Sequence, residues 1–498
     1  MRLRSRGLNG TAEVYDGDLL TTLSSYPVRA ELRNSRMVER VAVVIDRADP
    51  VPGARAQGPE DPGPYLEVVV ELGDDSQNLV MLISSGDGLL SWVVPDRSGR
   101  TARFAAPMSR LGFGGPGMGN YFASSGRTIL SLLTYPVAQE LRALGARGYR
   151  AWEKKRHPSI LFHYPRLISA GRSRPAPDED MDSSDWRRAT AGGRSLLLVH
   201  GTASRSSAAF SDLAGQSLAD VCRSYGGRVF AFDHPTVSVS PEDNVAELLS
   251  RICWTEHPVD IVCHSRGGLV ARLLAVRGHM NIGKIVFFVG VPNDGTELAD
   301  PSNLNAFVDT LTTAANLMPT PQRHLKDVLA IVLRLVRAMT EDALVRFDGL
   351  ASMNPGSPTL AHLARTPTSV PLDTRLLAVT SEYTSPGGDP LKRIVNGLFS
   401  RPNDLVVPTS GVANVTGAVA GTGFPIPAHS VFQTPEFLAV WHCGYFRFPE
   451  VRHRIVRWLA GGDEVAGGAC TRLECWSGWD EHATCLVDPA RRRRPSYR

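Results

Sequence analysis

The sequence predicts an α/β protein: a parallel sheet with helices on both faces and a helical cap, preceded by a β-rich N-terminal module. Three observations carry that expectation. From Ser195 onward, short continuous apolar runs alternate with segments of helical periodicity, the pattern of buried parallel strands joined by crossover helices. Inside that region, residues 259–272 (VDIVCHSRGGLVAR) read as a β-branched strand, a tight turn carrying Ser265, and a helix opening on Gly267 and Gly268. Residues 38–46 (VERVAVVID), 65–72 (YLEVVVEL) and 78–83 (NLVMLI) are strand-like by their β-branched content, with turn-rich breaks between them.

A chain of 498 residues exceeds one compact core, so two domains or one domain with large insertions is expected. Hydrophobic content of 43% and charged content of 21% are those of a soluble globular protein. The net charge of +4 is small for this length and implies no nucleic-acid partner. Only five of the 54 basic residues are lysine, which reads as coding bias rather than as a phosphate-binding surface. Seven scattered cysteines fit a reducing compartment better than a disulfide framework. No apolar stretch follows Met1 to Arg4, and no run approaches the roughly 20 apolar residues of a membrane span. A cytoplasmic location is the expectation.

Taken in order, residues 1–110 form the β-rich accessory domain, with a protein partner as a possible role. Residues 111–194 read as a Gly-rich hinge at 112–119, a helical segment over 125–155 and a polar, acidic, Pro/Ser-rich linker over 172–194. The second domain spans 195–465. Its strands are 195–202, 228–233, the strand before Ser265, and 284–292; helices are expected over 208–225, 244–252 and 268–277. In the tail, 466–498, Cys470, Cys475, His482 and Cys485 include no tight C-x2-C pair. Reduced cysteines and a solvated arginine run are the reading there, with no metal and no cofactor.

A serine on a strand-to-helix turn has its hydroxyl lifted clear of the backbone and its amide at a helix N-terminus. The residues two before and two after must be small, because strand and helix pass close together. Gly267 meets the second requirement and Cys263 stands at the first. This resembles the G-x-S-x-G nucleophile elbow of the α/β-hydrolases, with cysteine in place of the first glycine. The strings LVHGT (198–202), the elbow, and GVPNDGT (290–296) recur in that order. From Leu196 to about Leu459 the chain is therefore similar to the α/β-hydrolase superfamily, and to its lipase-like branch in particular.

That resemblance implies roles. The backbone amides of Thr202 and Arg266 would form the oxyanion hole. A carboxylate should follow the strand over 375–380, and Asp404 in RPNDLVVP is the candidate, with Glu382 and Asp389 as rivals. The base should precede the last helix; His442 is favoured, His429 competes, and His453 falls within the helix. The order Ser265, Asp404, His442 matches the hydrolase order. The activity implied is hydrolysis of a carboxylic ester, lipophilic in character, through an acyl-enzyme on Ser265. An insertion over about 296–370 would build the cap, and residues 325–347 are apolar nearly all round. They form either a buried cap helix or a mobile lid that touches a membrane surface. Two other readings keep the fold: a non-catalytic binding or scaffold protein, and an effector hydrolase controlled by its N-terminal module.

Overall fold

A computed structural model describes residues 1–460 apart from positions 7, 17–25, 51–64, 73–76, 86–89, 99, 108–127, 137–148, 214–215, most of 318–346, 372–373, 385–398 and 400. The Gly-rich stretch at 112–119, Asp389 and the cysteine-bearing tail lie outside the described residues.

The architecture is mixed α/β. Seven strands form the main sheet: β10 (Ile160–His163), β11 (Ser195–Val199), β12 (Val229–Asp233), β13 (Val259–His264), β14 (Ile282–Val289), β15 (Arg375–Thr380) and β16 (Val431–Gln433). Their order is β10-β12-β11-β13-β14-β15-β16. All neighbours are parallel except β10, which pairs antiparallel with β12. Strand alternation divides the core. Leu197 and Val199 of β11 and Phe230 and Phe232 of β12 face one layer. Leu196, Leu198, Val229 and Ala231 face the other. The helix Gly267–Arg277 covers the first face, and the helices Gln216–Ser224 and Pro449–Leu459 cover the second. The chain runs from β11 to β12 on one side and then crosses to β13 on the other. This reversal makes a topological switch point at the carboxyl ends of β11 and β13, the place where such sheets hold their ligands.

The N-terminal module is two antiparallel sheets. Its strands are β1 (Arg2–Arg6), β2 (Leu8–Asp16), β3 (Val38–Pro50), β4 (Tyr65–Glu71), β5 (Gln77–Ser84), β6 (Leu90–Val93), β7 (Asp96–Ser98), β8 (Thr101–Pro107) and β9 (Thr128–Pro136). They are ordered β1-β4-β8-β7 and β2-β3-β9-β5-β6. One face of the five-stranded sheet packs Met81, Ile83 and Leu130 against Val68 and Phe104 of the other sheet. Its opposite face contributes Val80, Leu82, Trp92 and Leu133 to the main core. The edge strand β6 is bonded to the helix Leu304–Leu317 of the insertion. Leu90 N–H donates to Thr313 Oγ1 (3.0 Å), Trp92 N–H to Asp309 Oδ1 (2.7 Å), and Trp92 Nε1–H to Thr312 Oγ1 (2.9 Å). Residues 1–462 accordingly form one compact unit.

Two expectations are corrected. Among the described residues of the helix expected over 125–155, Thr128–Pro136 is strand β9, central in its sheet, and 149–156 is helix. TILSLLTY, residues 128–135, is buried on both faces, so it lacks the alternation that marks a half-exposed strand. The linker over 172–194 is packed structure. It carries the helix Ser183–Thr190, capped by Asp182, and Trp186 is completely buried, its ring 5.1 Å from Phe230. Arg251 clamps Asp180 at 3.0 Å, and the main sheet begins at Ile160 rather than Ser195. One buried tryptophan, worth about 3–5 kcal/mol against alanine, outweighs the polar composition around it.

Candidate active site

Ser265 sits where β13 ends and the helix Gly267–Arg277 begins. Its φ is +54°, a left-handed conformation that is unfavourable by roughly 1–2 kcal/mol for a side-chain-bearing residue. Neighbours hold it there: Ser265 N–H donates to Val289 O (3.0 Å), and Gly268 N–H donates to Ser265 O (2.9 Å). Close approach explains the small residues around it. A Cβ on Gly267 would stand 2.4 Å from Val199 O, and one on Gly268 2.3 Å from the Val291 side chain. Cys263 is wholly buried, and that burial pushes its thiol well above the ordinary range. It is a packing group and not a second nucleophile.

Three side chains from separate turns meet here. His442 opens the 3-10 turn His442–Arg447. Its Nε2 lies 2.8 Å from Ser265 Oγ and its Nδ1 2.8 Å from Asp404 Oδ2. Asp404 is 1% exposed, yet every lone-pair direction is served. Its Oδ1 accepts from Val406 N–H (3.0 Å) and Val407 N–H (2.7 Å), and Oδ2 accepts a second bond from Tyr445 O–H (2.9 Å). A carboxylate holding four donors is stable as the anion even when buried. It can only accept from Nδ1, so that nitrogen carries the proton and the Nε2 lone pair faces the serine hydroxyl. The backbone fixes the pair as well, since His442 N–H donates to Asp404 O (3.0 Å).

The structure thus brings Ser265, His442 and Asp404 together. His429 is exposed on the turn Ala428–Ser430, and His453 is exposed on the helix Pro449–Leu459. Glu382 follows β15, and the carboxylate bonded to His442 is that of Asp404. Gly201, at the end of β11, touches the serine: a Cβ there would fall 2.5 Å from Ser265 Cβ and 3.1 Å from Oγ. The Thr202 amide comes next in the chain. The Arg266 amide adjoins the serine at the N-terminus of the helix Gly267–Arg277.

Several supporting residues had no sequence signal of their own. Tyr445 reaches Asp404 only because the 3-10 turn returns its ring beneath His442. Gly290, inside GVPNDGT, has φ +56°, and a Cβ on it would stand 2.8 Å from the Tyr445 ring and 3.3 Å from His442 Nδ1. His264 donates from Nε2 to His442 O (2.9 Å); burial and the neighbouring His442 push it down to about 3, so it stays neutral. The Arg266 side chain is wholly buried and donates to Gly349 O (3.1 Å), Asn244 Oδ1 (2.9 Å) and Val239 O. Burial pushes it down to about 10. Glu153 takes the backbone of the same loop: it accepts from the N–H groups of Thr236 (2.9 Å), Val237 (2.7 Å) and Ser238 (2.8 Å). Together, Arg266 and Glu153 tie the loop after β12 to the turn that carries the serine.

The model of a family described as a domain of unknown function, DUF7379, matches residues 169–460. No curated protein matches the chain. Among solved structures, the chain is similar to lipase BlEst2 of Bacillus licheniformis in mature form, at 16% identity over 58% of this chain and 94% of that one, with a TM-score of 0.33. It is also similar to lipase 1 from Pelosinus fermentans, at 13% identity over 54% and 98%, TM-score 0.34. Phospholipase PlaB from Legionella pneumophila shows 12% identity over 44% and 45%, TM-score 0.24. Likenesses of this size carry no argument about chemistry, which rests on the residues themselves.

Proposed function

This chain belongs to the DUF7379 family, and from that premise we propose that it is a serine hydrolase of the α/β-hydrolase type, cleaving a lipophilic carboxylic ester through an acyl-enzyme on Ser265. One observation carries the reading. The relay Ser265 Oγ–His442 Nε2–His442 Nδ1–Asp404 Oδ2, with both links at 2.8 Å, stands on a serine held at positive φ at the mouth of a helix.

The chemistry follows from these positions. As Ser265 Oγ attacks the ester carbonyl carbon, His442 Nε2 takes its proton, and Asp404 stabilises the imidazolium. Negative charge develops on the former carbonyl oxygen, where the Thr202 and Arg266 amides would meet it; one such donor is worth about 10²–10³ in rate. Collapse breaks the bond to the alcohol, and His442 returns the proton to it. Water, deprotonated by the same nitrogen, then attacks the acyl carbon and releases Ser265. The lipophilic character of the acyl chain follows from the resemblance of LVHGT, the elbow and GVPNDGT to the lipase-like branch.

A fluorophosphonate probe tests the proposal directly. The wild type should be labelled, while Ser265→Ala should not, and His442→Ala should label slower by orders of magnitude. His429→Ala should label at the wild-type rate. A folded wild type that takes no label would replace the enzyme with a binding protein on the same fold.

A further inference from the structure

Glu153 is wholly buried on the helix at 149–156, ahead of the main sheet, which begins at Ile160. Its carboxylate takes three successive amides of the loop after β12. Oε1 accepts from Thr236 N–H (2.9 Å) and Val237 N–H (2.7 Å), and Oε2 accepts from Ser238 N–H (2.8 Å) and Ser238 O–H (2.5 Å). A buried carboxylate is stable only when donors surround it, so the charge and the loop fix each other. The relay of Ser265, His442 and Asp404 uses none of these groups.

That loop reaches both residues whose amides would meet the oxyanion. Thr236 Oγ1 accepts from Ala203 N–H (3.0 Å). Ala203 follows Thr202 directly and has φ +55°, a left-handed conformation that a residue with a side chain keeps only under restraint. At the other end of the loop, Val239 O accepts from Arg266 Nη2, which also donates to Asn244 Oδ1 (2.9 Å), while Arg266 Nε donates to Gly349 O (3.1 Å). Gly349 lies against the same stretch: a Cβ there would stand 2.2 Å from Thr236 O and 2.7 Å from both Val237 O and Val239 O. Thr236 to Val239 therefore run from the residue that holds the Thr202 turn to the one that holds Arg266, and Glu153 grips the middle.

We propose that Glu153 is the positioning residue of the oxyanion hole, aiming the Thr202 and Arg266 amides together through this one loop. The inference rests on the hydrolase reading of Ser265. Donors to an oxyanion act only when held within about 0.5 Å of the productive geometry, and a residue ahead of the main sheet supplies that hold. In Glu153→Gln the side-chain amide keeps one acceptor oxygen but turns an NH2 group toward Ser238 N–H, so the loop loses its grip at the centre. Charge on the carbonyl oxygen is full only in the transition state, so the loss falls on kcat rather than on KM. The base is not involved, and its titration stays where it is.

Hydrolysis of p-nitrophenyl butyrate, scaled to active sites counted with a fluorophosphonate, tests the proposal. Counting sites removes unfolded molecules, so a purely structural loss lowers the count and leaves kcat per site unchanged. Glu153→Gln should lower kcat per site about thirtyfold or more, with KM within about twofold. It should weaken a trifluoromethyl ketone, which forms a tetrahedral oxyanion on Ser265, by the same factor, and leave the acidic limb of the pH profile in place. Thr236→Val, close in shape and lacking only the acceptor for Ala203 N–H, carries the test if Glu153→Gln does not fold; it should show the same pattern with a loss of about fivefold or more. Arg150→Gln, on the same helix but bonded at the surface to Asp243 (2.7 Å), should turn over as the wild type does. An unchanged kcat per site in either folded loop variant, a loss carried by KM, a shifted acidic limb, or an equal loss in Arg150→Gln would overturn the positioning role and leave the hydrolase standing. A wild type that neither takes the probe nor cleaves the ester would remove the hydrolase reading, and this inference with it.

Discussion

At the scale of single residues, the site turns on how Asp404 is satisfied. Its Oδ2 shares two donors, His442 Nδ1–H and Tyr445 O–H, at 2.8 and 2.9 Å. Removing the phenol leaves three donors on the carboxylate, so the charge stays solvated and His442 keeps its orientation through its own backbone bond. Tyr445→Phe should therefore lower kcat only about fivefold, the worth of one hydrogen bond of about 1 kcal/mol. His442→Ala should lower it by orders of magnitude. A loss in Tyr445→Phe as large as that of His442→Ala would mean that the tyrosine itself takes part in proton transfer. That Ser265, Asp404 and His442 would meet was legible in the sequence, because an elbow is a local backbone problem with a local signature, and the resemblance it carries sets the order of the other two. Tyr445 was not legible, since its role depends on a 3-10 turn whose register leaves no pattern.

At the scale of elements, buried strands and apolar helices look alike in sequence until a partner is known. Residues 128–136 read as helix, yet pair with β3 and β5 on both sides. The apolar stretch over 325–347 raised the opposite ambiguity, a buried helix against a mobile lid. Among its described residues Leu329, Val332, Leu333 and Val336 are helical, all are buried, and all belong to the main core. Their spacing marks one helix face turned inward. Val332, with no exposed surface, faces protein. A charge placed there would be buried and unpaired, which costs several kcal/mol. Val332→Asp should lower the melting temperature by many degrees and reduce activity on a short soluble ester and on a micellar one equally. A variant with an unchanged melting temperature, impaired only on micelles, would restore the lid.

At the scale of the whole molecule, the β-rich module and the α/β region share one core. Trp92 hydrogen-bonds to the insertion helix Leu304–Leu317 from the N-terminal sheet, and residues 1–462 are one unit. Composition could not reveal this, because the segment over 172–194 is mostly polar, and its buried anchor is the single Trp186, with Met181 and Ala189 packed beside it. Inside that core lie histidines held neutral. Burial first, then the nearby Arg205, pushes His157 down to about 2; burial and His442 push His264 down to about 3. His200 and His234, fully buried, are shifted the same way by burial. The unfolded chain returns each to about 6.5. Below that pH the unfolded state therefore binds more protons than the folded one, and stability falls as pH falls. Above it the difference vanishes and this contribution is fully present. Each histidine that stays neutral withdraws up to about 2 kcal/mol by pH 5. Carboxylates contribute little in that window, because their unfolded values lie near 4. The melting temperature should accordingly be level from pH 8 to 7 and drop by several degrees or more between pH 6.5 and 5. A curve flat down to pH 5 would mean that these rings gain protons in the folded state as readily as in water.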